Sequence, residues 1–98
     1  MKIVLFEVPK EEQADFSKIL SGFDVSFVEE KLDENNTEKA KDADIVCVFV
    51  DSNVNKVVLD ALHSLKFIVT RSTGVNHIDC VYAQSKGIKI SSVPAYGS

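Results

Sequence analysis

The segment at residues 71–76, RSTGVN, places a positive charge, two hydroxyl groups and a glycine directly after the apolar run FIVT. Glycine can adopt positive φ, so the N–H groups of Thr73, Gly74 and Val75 could point into one concavity. Backbone N–H groups arranged in this way bind carboxylates or phosphates. The spacing leaves a second interpretation open, in which Gly74 only permits a tight turn and Arg71 is a solvated surface charge.

The polar side chains that follow are consistent with the start of a helix rather than with catalysis. Asn76 could cap this helix, with Asp79 three residues later in a capping-box-like arrangement. His77 would lie in the first helical turn, in a surface or capping role. His63 is expected near a helix end, next to the terminal carbonyl groups, and Tyr82 is expected to pack. No general acid or base stands out.

Several chemical motifs are missing from the sequence. It contains no GxGxxG and no GxxxxGKS, so nothing in it predicts a cradle for a nucleotide phosphate. Cys47 and Cys80 are far apart and belong to no CxxC or histidine-rich cluster. We expect both to be free thiols and predict no metal site.

The elements that must position this loop alternate between two apolar periods. Period-two or continuous apolar runs predict strands at residues 2–8, 24–29, 45–50, 66–70 and 88–93, and helical spacing predicts helices at 10–23, 33–44, 55–65 and 77–87. This order predicts an α/β protein with a parallel sheet. We expect one flavodoxin-like domain over residues 1–98, with five strands in the order 2-1-3-4-5 rather than a Rossmann-like order.

Composition narrows the possible partners. The net charge of -4 and the lack of a basic run argue against nucleic acid and anionic membranes. The longest apolar run, IVCVFV, is too short to span a bilayer, and no signal segment precedes the first strand. We therefore expect a cytoplasmic protein.

The sequence stops shortly after the fifth predicted strand, where this architecture requires a fifth helix. A sheet of this kind needs cover on both faces, so we expect apolar surface to remain on one face. Either a later segment or a partner chain would cover it. Tyr96, after the fifth strand, could line a site or belong to an interface.

The last third of the sequence resembles the D-isomer-specific 2-hydroxyacid dehydrogenases, the family of D-lactate and phosphoglycerate dehydrogenases. The family pattern is roughly R-x-x-G-x-D/N-x-I-D, then a helix, then K/R-G-I-x-V/I-x-N/S-V-P-x-Y-S/G. The matching residues here are Arg71, Gly74, Asn76, Ile78, Asp79, Gly87, Ile88, Val93, Pro94 and Tyr96. The earlier KDADIVCVFVDSNVNKVVLDALHSLKFI is also similar to the family.

This resemblance implies a flavodoxin-like substrate domain, completed in the family by a returning C-terminal segment. It implies that the loop at residues 72–76 binds the carboxylate of a 2-hydroxy or 2-oxo acid, with Gly74 and Val75 as the usual donors and Thr73 beside them. Tyr96 matches a residue near the substrate, and Phe49 corresponds loosely to one that walls the substrate pocket.

The family's chemistry also requires NAD on a Rossmann domain, an arginine that polarises the substrate carbonyl, and a histidine supported by a glutamate. Neither Arg71 nor His77 matches those positions. The resemblance thus implies that the NAD domain lies outside this sequence and that this chain alone is inactive. The parent protein is expected to be a homodimer, and the fragment could self-associate through its uncovered face.

Two other flavodoxin-like classes are alternatives. In a receiver domain, Glu7, Asp51 and Thr70 would form the phosphorylation site, but the lysine expected after the fifth strand is missing. In a flavodoxin, the loop after the first strand would be rich in Ser, Thr and Gly, whereas this chain has EVPKEEQ. A fragment that dimerises through its open face is compatible with the main hypothesis.

Overall fold

The computed structural model describes residues 1–93, which form an α/β fold around one parallel sheet. The strand order β2-β1-β3-β4-β5 confirms the predicted flavodoxin-like topology. The strands are β1 (Lys2–Phe6), β2 (Asp24–Val28), β3 (Ile45–Val48), β4 (Phe67–Thr70) and β5 (Lys89–Ser92). The helices are α1 (Lys10–Ile19), α2 (Lys56–Ala61) and α3 (Cys80–Ser85), with a 3-10 turn at Thr37–Ala40. No helix in residues 1–93 is long and apolar enough to cross a membrane.

The three central strands are apolar on both faces, one of which is fully buried and the other only partly covered. Val4 of β1 pairs with Val46 of β3, which pairs in turn with Ile68 of β4. All three side chains are fully buried and belong to the larger apolar cluster. Because parallel strands in register end together, the loops after β1, β3 and β4 lie along one edge of the sheet.

One face of the sheet is covered by α2, α3 and the segment around the 3-10 turn. Asn55 caps α2, as predicted, by accepting a 3.0 Å hydrogen bond from the N–H of Val58. The helix predicted at residues 33–44 is reduced to the single 3-10 turn. Ala40 and Ala43 are nevertheless buried, so the apolar stripe predicted there does face the core.

The other face carries α1, which buries no residue completely. Ile19 of this helix is 76% exposed, and Phe16 and Leu20 are half-buried. A groove of about 440 Å³ runs beside α1, and its apolar lining comes from Ile3, Leu5, Phe16, Ile19, Leu20, Ile45, Cys47, Val69 and Val93. The sequence predicts a fifth helix to be missing from one face of the sheet, and the groove lies on a face that only α1 covers.

The helix predicted at residues 77–87 is shorter at its start. It begins at Cys80, and its cap is Asp79, whose side chain accepts from the N–H of Tyr82 at 3.1 Å. The prediction that Asn76 caps this helix is therefore wrong. The chain before Asp79 is held by a parallel bridge between Val54 and Ile78, which keeps it out of helical geometry.

Candidate functional site

The edge formed by the carboxyl ends of the strands brings the candidate residues together. Val48 of β3 pairs with Thr70 of β4, so Phe49 and Arg71 are the first residues beyond two neighbouring strands. Thr73, Gly74 and Val75 lie a few residues further along the loop after β4. Thr73 and Gly74 are exposed, and Val75 is half-buried.

Arg71 is not the solvated surface charge that one interpretation of the sequence expected. It is only 8% exposed, and its guanidinium donates to the carbonyl of Phe6 at 3.2 Å and of Glu7 at 2.9 Å. The same group lies 5.6 Å from the ring centroid of Phe16 and 5.5 Å from that of Phe49. Because both terminal nitrogens of the guanidinium are hydrogen-bonded inside the protein, Arg71 joins the ends of β1 and β4.

The Arg71 guanidinium also contacts the thiol of Cys47, at 3.3 Å. Burial raises the pKa of this thiol, and the contact with the guanidinium offsets part of that effect. Cys47 is buried and Cys80 is half-buried, and both are free, as predicted. Neither thiol is set up as a nucleophile, because a raised pKa keeps Cys47 protonated and within residues 1–93 no hydrogen bond joins the Cys80 thiol to a base.

Three side chains that are hydrogen-bonded to one another shape the loop after β4. The Thr70 hydroxyl lies 2.6 Å from the Ser72 hydroxyl and 2.8 Å from Nε2 of His77. The Ser72 hydroxyl donates to the carbonyl of Gly74 at 2.8 Å. His77 therefore lies in the loop before α3, so the prediction that it lies in the first turn of a helix and caps it is wrong. Its side chain is half-buried. Burial lowers the pKa of His77, while the negative charge of Glu7 partly opposes this.

Gly74 takes a backbone conformation that differs from the predicted one. The glycines with positive φ in the described residues are Gly22 and Gly87, not Gly74. The prediction that positive φ at Gly74 turns the three N–H groups into one concavity is therefore wrong. Even so, within residues 1–93 no acceptor is found for the backbone N–H groups of Thr73, Gly74 and Val75. A Cβ added at Gly74 would meet no atom within 4 Å.

A cleft of about 540 Å³ opens at the same edge of the sheet, on the side of β1 and β2. It is lined by Glu7, Pro9, Glu12, Glu29, Lys31, Phe49, Asp51 and Arg71. Of the predicted substrate-binding residues, Phe49 lines this cleft and is 37% exposed, while Thr73, Gly74 and Val75 do not line it. Tyr96 lies outside the described residues.

The arrangement offers donors for a small anion but little else for chemistry. Among residues 1–93 no group of acidic, histidine or cysteine side chains could hold a metal ion. The turn from β1 into α1 does not suit the diphosphate of NAD, because it runs through Glu7 and Pro9 and brings Glu11 and Glu12 to the first helical turn. Two carboxylates at a helix N-terminus would repel a phosphate group.

Comparison with known proteins places this geometry in a family. The family model for the D-isomer specific 2-hydroxyacid dehydrogenase catalytic domain matches residues 3–98. The chain belongs to this family. A 2-hydroxyacid dehydrogenase homolog of Zymomonas mobilis is 42% identical over 77 residues, which are 76% of this chain and 23% of that protein.

Solved structures agree with the family assignment. D-lactate dehydrogenase from Escherichia coli, in its apo form, superposes with a TM-score of 0.88 at 29% identity, over 98% of this chain and 32% of that one. D-lactate dehydrogenase from Aquifex aeolicus, complexed with NAD and lactic acid, superposes with a TM-score of 0.88 at 28% identity, over 97% of this chain and 28% of that one. The chain thus spans less than a third of the length of these relatives.

Family membership confirms the resemblance and decides against the receiver and flavodoxin alternatives. The structure adds a reason against a receiver phosphorylation site. The carboxylate of Glu7 already accepts from the backbone N–H groups of Phe49, Asp51 and Ser52, so it is turned toward the protein backbone rather than toward a metal ion.

The roles of some residues that shape this site could not be predicted from the sequence. Glu7 has a φ of 60°, an unusual value for a residue with a side chain, and its carboxylate organises the loop after β3. A polar residue at the end of an apolar strand was the available signal. The sequence indicates Thr70 only for the receiver alternative and Ser72 only as the first residue of the binding loop, and their hydrogen bond to each other is not predicted.

Proposed function

We propose that this chain is a fragment of the substrate domain of an NAD-dependent 2-hydroxyacid dehydrogenase, and that its loop after β4 binds the substrate carboxylate. Thr73, Gly74 and Val75 supply backbone N–H donors, Phe49 contributes apolar wall, and Tyr96 completes the site from the segment after β5. The observation that carries the proposal is the set of N–H groups at 73–75 that find no acceptor within residues 1–93.

The remaining parts of the reaction come from elsewhere in the enzyme. The β1–α1 turn does not suit the NAD diphosphate, and the described part of the chain presents no paired acid and base. NAD and the groups that move the proton and polarise the carbonyl therefore belong to the longer protein, as the short coverage of the relatives suggests. By itself this chain is inactive.

Binding to the isolated chain is weak. Each backbone hydrogen bond to a solvated carboxylate contributes roughly 0.5–1.5 kcal/mol net, and a small acid also loses translational and rotational freedom. We therefore expect a dissociation constant in the millimolar range or above.

A titration followed by amide NMR tests the carboxylate site. Pyruvate, the probe acid, is added to the ¹⁵N-labelled chain, and pyruvamide, which lacks the negative charge, serves as the matched ligand. We expect saturable shifts of the Gly74 and Val75 amides with pyruvate only. Shifts spread over the surface lysines, or equal shifts with both ligands, would refute the proposal.

A pair of variants at one position shows whether the backbone donor itself matters. Val75→Pro removes the N–H group, whereas Val75→Ala shortens the side chain and keeps it. We expect Val75→Pro to abolish the saturable shift at Gly74 and Val75→Ala to keep it. Equal binding by both variants would show that the Val75 N–H is not a donor.

We further propose that a later segment of the same polypeptide covers the apolar groove beside α1. The chain's coverage of less than a third of its relatives leaves ample sequence for such a segment, and the groove lining is apolar apart from Arg71. Alone, the chain should self-associate through the groove. Sedimentation velocity over a range of concentrations should show association, and Ile19→Glu should prevent it. A chain that stays monomeric at high concentration would contradict self-association through the groove.

A further inference from the structure

The donor and the acceptor of each hydrogen bond between His77 and Gly74 can be assigned. Ser72 has one hydroxyl hydrogen and donates it to the carbonyl of Gly74. Its 2.6 Å contact with Thr70 must then be a hydrogen bond that it accepts from the Thr70 hydroxyl. Thr70 has thereby used its own hydrogen, so in its 2.8 Å contact with His77 it accepts from an Nε2–H group.

This order fixes the peptide group between Gly74 and Val75. The described residues contain no cis peptide bond, and in a trans peptide the C=O and N–H groups point in opposite directions. The Gly74 carbonyl points toward Ser72, which is 4% exposed. The N–H of Val75 must therefore point away from the buried side of the loop, where a ligand can reach it.

Both ends of the loop are anchored by separate contacts. The Ser92 hydroxyl, at the end of β5, donates to the carbonyl of Ser72 at 2.5 Å. On the other side, the N–H of Val54 donates to the carbonyl of His77 at 2.8 Å. The neighbouring peptides are held as well, because the Ser92 hydroxyl also lies 3.2 Å from the Thr73 carbonyl and the N–H of Ile78 donates to the Val75 carbonyl at 3.0 Å. The Gly74–Val75 peptide between them is the one held by Ser72.

We propose that His77, Thr70 and Ser72 are positioning residues that aim the Val75 N–H at the substrate carboxylate. This inference rests on the proposed function, because it explains how the same loop is held in its binding geometry. None of the three side chains needs to touch the ligand. Their effect passes through the Gly74–Val75 peptide.

Thr70 provides the sharpest pair of variants. Thr70→Val keeps the shape of this fully buried side chain and removes the hydroxyl, whereas Thr70→Ser keeps the hydroxyl and removes a methyl group. We expect Thr70→Val to weaken pyruvate binding by about fivefold to tenfold, because the lost hydrogen bond helps to hold the Gly74–Val75 peptide in its binding orientation. Thr70→Ser should bind within about twofold of the unmodified chain. Equal affinity in Thr70→Val would overturn the proposal.

Two measurements without ligand separate this proposal from the proposed function. The ¹⁵N shifts of the His77 ring should show a hydrogen on Nε2, and the Val75 amide resonance should move in Thr70→Val but not in Thr70→Ser. Absence of pyruvate binding by the unmodified chain would refute the carboxylate site, yet these two readouts would still decide whether the hydrogen bonds of His77, Thr70 and Ser72 set the orientation of the Gly74–Val75 peptide. A ring carrying its hydrogen on Nδ1 alone, or a Val75 resonance unmoved in Thr70→Val, would overturn it.

If Thr70→Val does not fold, the same comparison is made at His77. His77→Gln can still donate an N–H from a side-chain amide, and His77→Leu cannot. The proposal requires His77→Gln to rescue the Val75 amide position and His77→Leu to lose it. Identical spectra of the loop in both variants would contradict it.

Discussion

The hydroxyl of Ser52, in the loop after β3, donates a 2.5 Å hydrogen bond to the carboxylate of Glu7 at the end of β1. The same carboxylate accepts from the N–H groups of Phe49 at 2.9 Å, Ser52 at 3.0 Å and Asp51 at 3.2 Å. Ser52 in turn accepts from the N–H of Leu32, in the segment after β2, at 2.9 Å. One acidic side chain thus holds together the loops that follow three strands.

Replacing this carboxylate should destabilise the protein. Glu7→Gln puts an amide that carries its own N–H groups against several backbone donors, so at least one of them loses its acceptor. We expect the free energy of unfolding to fall by about 1–3 kcal/mol, measured by urea denaturation. Glu29→Gln removes the same charge from an exposed position and should change stability by less than about 0.5 kcal/mol. Equal effects in the two variants would show that only net charge matters.

The second prediction concerns Arg71, at the same edge of the sheet. Arg71→Met keeps an unbranched chain between the rings of Phe16 and Phe49 but leaves the carbonyls of Phe6 and Glu7 without their donor. We expect a loss of about 2–4 kcal/mol in the free energy of unfolding.

The matched variant for Arg71 is Arg71→Lys. Lysine keeps the charge, but it cannot reproduce the planar fork that reaches two carbonyl groups. Its loss of stability should lie between those of the unmodified chain and Arg71→Met. If Arg71→Met unfolds at the same urea concentration as the unmodified chain, Arg71 contributes no more to stability than a surface charge.

The order and topology of the elements could be predicted because they depend on local patterns. Alternating apolar periods place all five strands correctly, and the continuous apolar run at residues 45–50 predicts a central strand. That strand ends at Val48, two residues early. The N–H of Phe49 is taken by the carboxylate of Glu7, which is distant in sequence. No local pattern contains that information.

The site was harder to predict for the same reason. A glycine after a strand suggests positive φ, but the conformation at Gly74 is set by the hydroxyl of Ser72 and by the bridge between Val54 and Ile78. Similarly, an arginine in a polar turn suggests solvation, and only the packed structure shows that Arg71 lies between two aromatic rings. The sequence singles out these residues by type, whereas their geometry depends on tertiary contacts.

The two cysteines should differ in reactivity. Burial raises the pKa of Cys47, so little thiolate forms at pH 8, and the side chain is also only 8% exposed. Cys80 is half-buried at the start of α3. We expect iodoacetamide to label Cys80 at least about tenfold faster in the folded chain, as followed by peptide mass spectrometry. In urea the two rates should converge. Faster labelling of Cys47 in the folded chain would contradict the packing around it.

His77 should make the stability depend on pH in a defined direction. Its pKa is lowered in the folded state by burial, with Glu7 opposing part of the shift, whereas in the unfolded chain it should titrate near 6.5. The unfolded chain therefore takes up a proton that the folded chain resists. The free energy of unfolding is at its full value above about pH 6.5 and falls as the pH drops from there toward the folded pKa.

Urea denaturation at pH 7.5 and pH 5 measures this effect. The pKa values of Asp44 and Asp60 are also lowered, but from 3.8, so their contribution is lost only at more acidic pH and does not enter this window. We expect His77→Gln to show a smaller loss of stability between the two pH values than the unmodified chain. His63→Gln, at an exposed position, should keep the larger loss. If His77→Gln and the unmodified chain lose the same stability, the fold does not oppose the protonation of His77.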